Sequence, residues 1–199
     1  MLRPAIFLDR DGTISHEVGY VNHASRFRLY PFAVDAVRMI NRCGYLAVVV
    51  TNQAGVARGY FPESVLNQVH DRLRAVMEKG GARLDGLYAC LHHPLAGAPP
   101  YRLVCDCRKP KPGLLRRAEV DLGIDLARSW VIGDRHGDLL MAWRAGARGA
   151  LVKTGYGLGE LAHLAPAWPR QPDLVADHLL DAVSRILFPS TIGAVGLER

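Results

Sequence analysis

Two carboxylates, Asp9 and Asp11, stand two residues apart directly after the apolar run Ala5-Ile6-Phe7-Leu8, and Gly12-Thr13 follow them. A short apolar run of this kind reads as a buried strand, and side chains two apart on a strand project the same way. The pair therefore concentrates negative charge at the carboxyl edge of a sheet, where open α/β folds build their sites. Carboxylates held so close require a cation or a shared proton. A hard cation such as Mg²⁺ suits oxygen ligands and a phosphate substrate.

Other polar groups recur at comparable places. Thr51-Asn52 ends the run Leu46-Ala47-Val48-Val49-Val50, Asp134 follows Trp130-Val131-Ile132-Gly133, and Lys109 closes a loop just before a helix. Each alone could be a turn or a helix cap. Together they supply the parts of phosphate ester hydrolysis. Asp9 is the expected nucleophile, forming an aspartyl-phosphate. Asp11 is the expected general acid for the departing alkoxide, then the base for the hydrolytic water. Thr51 and backbone N–H groups near Asn52 would hold phosphoryl oxygens, and Lys109 would offset their charge. Asp9, Asp134 and the carbonyl of Asp11 would hold Mg²⁺, with Asp138 fixing its water shell. Phosphate monoesters demand rate factors of up to ~10²¹, which fits a covalent intermediate, a metal and a cation acting together.

Three of the four cysteines gather beside a histidine: Cys90-x-His92 and Cys105-x-Cys107, separated by residues 93 to 104. A four-ligand N/S set suits tetrahedral structural Zn²⁺ with no open position. The stretch from His92 to Pro112 carries five prolines and no periodicity, so it needs such a brace. Cys107 runs directly into Arg108-Lys109, so the zinc would aim both cations at the phosphate. His93 is taken as a bystander, and Cys43 as a small buried residue at the end of a helix.

The elements that must position these groups alternate. Strands are predicted at 5–8, 46–50, 87–91, 130–132, 150–152 and 174–175. Helices are predicted at 33–42, from Pro62 to about 79, 113–122, 138–145 and 176–187. Alternating β and α elements imply an α/β fold, doubly wound, with a mostly parallel sheet and helices on both faces. Gly155, Gly157 and Gly159 read as a flexible loop. The 199 residues, 49% hydrophobic and 22% charged, fit one globular domain over 1–188 with a zinc loop at 90–110 and a mobile tail at 189–199. No apolar run approaches the roughly 20 residues that span a bilayer. The site begins too early to leave room for a signal peptide, so a cytoplasmic protein is expected. The net charge is +6, but Lys and Arg form no block of five, which argues against nucleic acid as partner.

The motifs Asp9-x-Asp11-Gly12-Thr13, Thr51-Asn52, Lys109 and Gly133-Asp134-x-x-x-Asp138 resemble, in order, the four motifs of the haloacid dehalogenase superfamily of phosphatases. The resemblance covers residues 5 to about 155 and implies a Rossmann-like core with no large cap domain. The zinc loop, Gly19-Tyr20-Val21 and the segment from Thr51 to Gly59 are similar to the heptose bisphosphate phosphatases, in the superfamily's zinc-containing histidinol-phosphatase-like branch. That resemblance implies removal of the 7-phosphate of D-glycero-D-manno-heptose 1,7-bisphosphate by a monomer, for lipopolysaccharide precursor synthesis. It also implies substrate contacts from Glu17, Val18, Gly19, Tyr20, Gln53, Ala54, Arg108 and Arg135. Arg135 stands where that family often has Lys. Histidinol-phosphate phosphatase is the nearest rival reading. A polynucleotide 3′-phosphatase and a non-catalytic sugar-phosphate binding module are weaker ones.

Overall fold

The computed structural model describes residues 2–189. Six strands, β1 (Ala5–Leu8), β2 (Leu46–Asn52), β3 (Gly86–Cys90), β4 (Trp130–Gly133), β5 (Arg148–Val152) and β6 (Leu174–Ala176), form one sheet in the order β3-β2-β1-β4-β5-β6. Every pairing is parallel. Parallel strands lie between helical layers, which is why their sequences read as unbroken apolar runs.

Alternation along each strand feeds two cores. Ile6, Leu8, Val49 and Ile132 face the side covered by α1 (Ala33–Arg42), α2 (Glu63–Lys79) and α6 (Leu179–Leu187). Ala5, Phe7, Val48 and Val131 face the side covered by α3 (Gly113–Leu122) and α4 (His136–Ala145). Each such Val, Leu, Ile or Phe contributes about 1.5–3 kcal/mol on burial. Among the described residues no cap domain is inserted, and no helix is long and apolar enough to cross a membrane.

Several boundaries shift for local reasons. α6 starts at Leu179 because Ala176 completes β6 and His178 caps the helix, its Nδ1 accepting from Asp181 N at 3.2 Å. α4 starts at His136, where Asp138 closes the first turn by accepting from Arg135 N at 3.2 Å. Cys43 is exposed rather than buried: it follows the last turn of α1, where the chain turns out through Gly44 to enter β2. The glycine run is no flexible loop. Gly157–Gly159 form a short helix, α5, that continues as a single π turn over Glu160–Leu164. The tail expected at 189–199 lies outside the described residues beyond Pro189.

Candidate active site

The strand order changes direction where β4 pairs with β1 instead of with β3. Ligands of open α/β sheets bind at such a switch point, beyond the carboxyl ends of the strands. Asp9 leaves β1 there, its N–H donating to Ile132 O of β4 at 2.9 Å, and Asp134 leaves β4 beside it. A cavity of about 480 Å³ opens above this edge, with Asp9, Asp11, Thr51, Asn52, Lys109 and Asp138 in its lining.

Lys109 Nζ sits 2.7 Å from Asp9 Oδ1 and 2.7 Å from Asp138 Oδ1. Burial alone would lower the Lys109 ammonium, but Asp138 and Asp9 more than offset this and hold it up and charged. Asn52 fixes the backbone of the lysine: its Oδ1 accepts from Lys109 N at 3.1 Å and its Nδ2 donates to Lys109 O at 3.4 Å. Thr51 is buried, with Oγ1 accepting from Gln53 Nε2 at 2.9 Å. The same amide donates to Asp11 Oδ2 at 2.9 Å.

Beneath the cavity, Asp134 is 1% exposed. Its Oδ2 accepts from Tyr156 N at 2.8 Å, while its buried Oδ1 has no partner. Gly12 (φ 83°) and Gly155 (φ 59°) wall in this carboxylate so closely that a Cβ on either would fall 2.1 Å from Oδ2. Only glycine allows both the backbone angle and the approach. Thr154 Oγ1 donates to Gly12 O at 2.6 Å and ties the two loops together. Burial raises the Asp9 carboxyl to about 7, against the pull of Lys109. Burial together with the Asp9 and Asp138 charges raises Asp134 to about 8. One oxygen each from Asp9, Asp134 and Asp138 lies within 4.8 Å of the others. An orphaned buried oxygen among crowded carboxylates fits a small hard cation.

Cys90, His92, Cys105 and Cys107 form a second cluster. Cys107 Sγ lies 3.1 Å from Cys90 Sγ and 3.2 Å from Cys105 Sγ, and His92 Nδ1 lies 3.3 Å from Cys107 Sγ. The cysteines are unbridged, and one S or N atom from each of the four residues lies within 4.8 Å of the others, a donor set suited to a tetrahedral metal. Burial pushes the Cys90 and Cys107 thiols up. His93 lies outside this ligand set, as expected, and holds the loop instead. Its Nδ1 accepts from Leu95 N at 3.1 Å and Ala96 N at 2.9 Å, and its Nε2 lies 2.9 Å from Arg58 Nη2. It thereby buttons the loop onto the turn after β2.

The rim gathers Glu17, Gly19, Tyr20, Gln53, Ala54, Arg108 and Arg135 around the cavity. Glu17 Oε1 accepts from Gly19 N at 2.6 Å, and burial raises its carboxyl. Arg108 Nη1 donates to His92 O at 3.3 Å, and Arg135 lies 3.7 Å over the Tyr156 ring. Val18 lies outside this lining and faces a neighbouring groove with His16 and Arg28. Tyr156 and Glu160 line the cavity without having been singled out. Their signal is the glycine run that Tyr156 interrupts and Glu160 follows, which marks close backbone approach.

The HAD-hydrolase-like family model matches residues 106–182. A D-glycero-beta-D-manno-heptose-1,7-bisphosphate 7-phosphatase of Salmonella typhi is 42% identical over 166 residues, 83% of this chain and 88% of the relative. The enzyme of that name from Haemophilus ducreyi is 40% identical over 185 residues, 92% and 98% of the two chains. The crystal structure of a D,D-heptose 1,7-bisphosphate phosphatase from B. bronchiseptica, complexed with magnesium and phosphate, superposes with a TM-score of 0.83 at 30% identity, covering 94% of this chain and 99% of that one. A catalytic-looking switch point, a thiol-rich loop beside it and relatives matched over nearly their whole length agree: the chain belongs to the heptose-1,7-bisphosphate 7-phosphatase family of the haloacid dehalogenase superfamily.

Proposed function

We propose that this chain hydrolyses the 7-phosphate of D-glycero-D-manno-heptose 1,7-bisphosphate, a step toward lipopolysaccharide precursors. The observation that carries the reading is Asp9 at the cavity floor, one oxygen 2.7 Å from Lys109 and the cluster below it holding an unpartnered Asp134 Oδ1. Asp9 attacks phosphorus through its carboxylate and forms an aspartyl-phosphate. Asp11 donates the proton the leaving alkoxide needs, then takes one from the water that opens the intermediate. Lys109, Thr51 and the backbone near Asn52 hold the phosphoryl oxygens. Asp9, Asp134 and the carbonyl of Asp11 would hold Mg²⁺, which supplies charge neutralisation at those oxygens. Asp138 keeps Lys109 charged and in place. Cys90, His92, Cys105 and Cys107 would hold a structural Zn²⁺ that keeps Arg108 and Lys109 over the cavity.

Glu17, Tyr20 and Arg135 stand at the rim, suited to hydroxyls and a distal anion. Three thiols gathered for a metal suit a reducing cytoplasm, and we take the enzyme to act there as a monomer. Steady-state turnover of heptose 1,7-bisphosphate against histidinol phosphate and other phosphate monoesters tests the assignment. The bisphosphate is expected to give the highest kcat/KM, and a clear preference for histidinol phosphate overturns the substrate. Asp9→Asn is expected to abolish turnover with the fold intact, and a fully active variant refutes the covalent route.

A further inference from the structure

Arg10 stands between the two site carboxylates, yet it is 1% exposed and points away from the cavity. Its guanidinium grips its neighbour: Nε donates to Asp11 Oδ1 at 3.0 Å and Nη2 to Asp11 Oδ2 at 2.6 Å. A fork on a carboxylate fixes their mutual geometry, but the two groups could still rock together. Gln53 Nε2 and Ser15 Oγ also donate to the carboxylate, at 2.9 and 3.2 Å, and the third corner of the guanidinium anchors the Arg10 end. Nη1 lies 3.2 Å from Nε2 of His70, sixty residues away on α2 and itself 6% exposed. Phe27 covers the guanidinium, 5.6 Å from the ring centroid.

His70 occupies the apolar face of α2 with Leu66, Val69, Leu73 and Met77, where an aliphatic side chain would pack. Its polar atom reaches one partner there, Arg10. Burial, with Arg10 and Arg74 nearby, lowers the imidazole to about 3, so it is neutral. Neutral imidazole carries one lone pair, and the N–H of Arg10 takes it with the ring proton on Nδ1. The chain of contact runs from the helix scaffold, through His70 and Arg10, to Asp11.

We infer that His70 is a positioning residue that, through Arg10, sets the orientation of the Asp11 carboxylate for proton transfer to the leaving group. The inference rests on the reading of Asp11 as general acid. Geometry is what proton transfer is most sensitive to, since the acid must lie within hydrogen-bond reach of the leaving oxygen. Removing the lone pair at position 70 leaves a buried N–H of Arg10 unpartnered, and as the fork turns to find another acceptor it pulls Asp11 against its bonds from Gln53 and Ser15.

The test compares two leaving groups. An alkoxide from a sugar phosphate needs protonation, whereas p-nitrophenolate departs without it. His70→Leu is expected to lower kcat/KM on the sugar phosphate about tenfold, through kcat, with KM little changed, a fraction of the 10²–10⁴-fold typical of general acid catalysis. On p-nitrophenyl phosphate, kcat/KM of the same variant, which reports only the steps up to release of p-nitrophenolate and not the later hydrolysis that also uses Asp11, is expected to stay within about twofold of the parent. His70→Gln, whose amide oxygen reaches Nη1, is expected to recover most of the loss. If His70→Leu does not fold, His70→Asn, too short to reach, replaces it. An equal loss of kcat/KM on both esters, or no rescue by Gln, means a packing role and overturns the inference. So does an unchanged His70→Leu beside an Asp11→Asn variant that is inactive on the sugar phosphate. An Asp11→Asn variant active on both esters overturns the reading of Asp11, and the inference with it.

Discussion

Asn52 clamps Lys109 from both sides of its backbone, accepting from its N–H at 3.1 Å and donating to its carbonyl at 3.4 Å. A residue at the end of β2 thus fixes a loop residue that carries the positive charge of the cavity. Asn52→Ala is expected to lower kcat by about 10-fold or more, while Lys109→Ala, which removes the charge itself, costs about 10²–10³. Steady-state kinetics with circular dichroism checks both. A Lys109→Ala variant within twofold of the parent would remove the lysine from the reaction.

The raised carboxyls make the metal-free protein sensitive to pH. Asp9 and Asp134 titrate at about 7 and about 8 when folded, against an ordinary 3.8. Between roughly pH 4 and 8 the folded state therefore binds more protons than the unfolded chain, and its stability falls as pH rises. Mg²⁺ needs these ligands ionised, so it competes with protons. Thermal melts should show a larger Mg²⁺-induced rise in Tm at pH 8 than at pH 6. Equal shifts at both values count against a cation at this cluster.

The four-ligand cluster leads straight to Lys109 through Cys107 and Arg108. Elemental analysis should find about one zinc per chain. Cys107→Ser, or removal by a zinc-selective chelator followed by restored Mg²⁺, is expected to lower Tm and to abolish most turnover together. Retained activity after complete zinc loss separates the loop from the reaction.

Gly155 is the close wall of the Asp134 carboxylate. Gly155→Ala forces a side chain into left-handed backbone and against Oδ2, a strain of about 1–2 kcal/mol before the clash is counted. The variant should need more Mg²⁺ for half-maximal activity, measured by titrating the metal at saturating substrate. An unchanged requirement means that the loop yields without moving Asp134.

Strands were the most legible part of the chain, because parallel strands buried on both faces must be apolar throughout, as Leu46 to Val50 are. The site carboxylates were legible for the complementary reason: Asp9 and Asp134 end such runs with nothing apolar to do. Cys43 shows what composition alone cannot tell, since an apolar type at a helix end can face either way. His93 and Arg10 were illegible because their partners, Arg58 and His70, are close only in space. Tyr156 and Glu160 reach the cavity because Gly155 and Gly157 let the chain after β5 press against β4 and β1. That closeness depends on backbone contact, which residue type records only as an unexplained glycine.

The Asp9 N–H bonds to the carbonyl of Ile132, so the first strand of the chain is joined to the fourth at the point of chemistry. A polypeptide emerging from the ribosome displays Asp9, Asp11 and Thr51 early, gains Lys109 only with the loop after β3, and gains Asp134 only with β4. No partial product of synthesis can hold the complete site. The site is complete only when the β1–β4 seam has closed and the chain after β5 has brought Thr154 and Tyr156 onto Gly12 and Asp134.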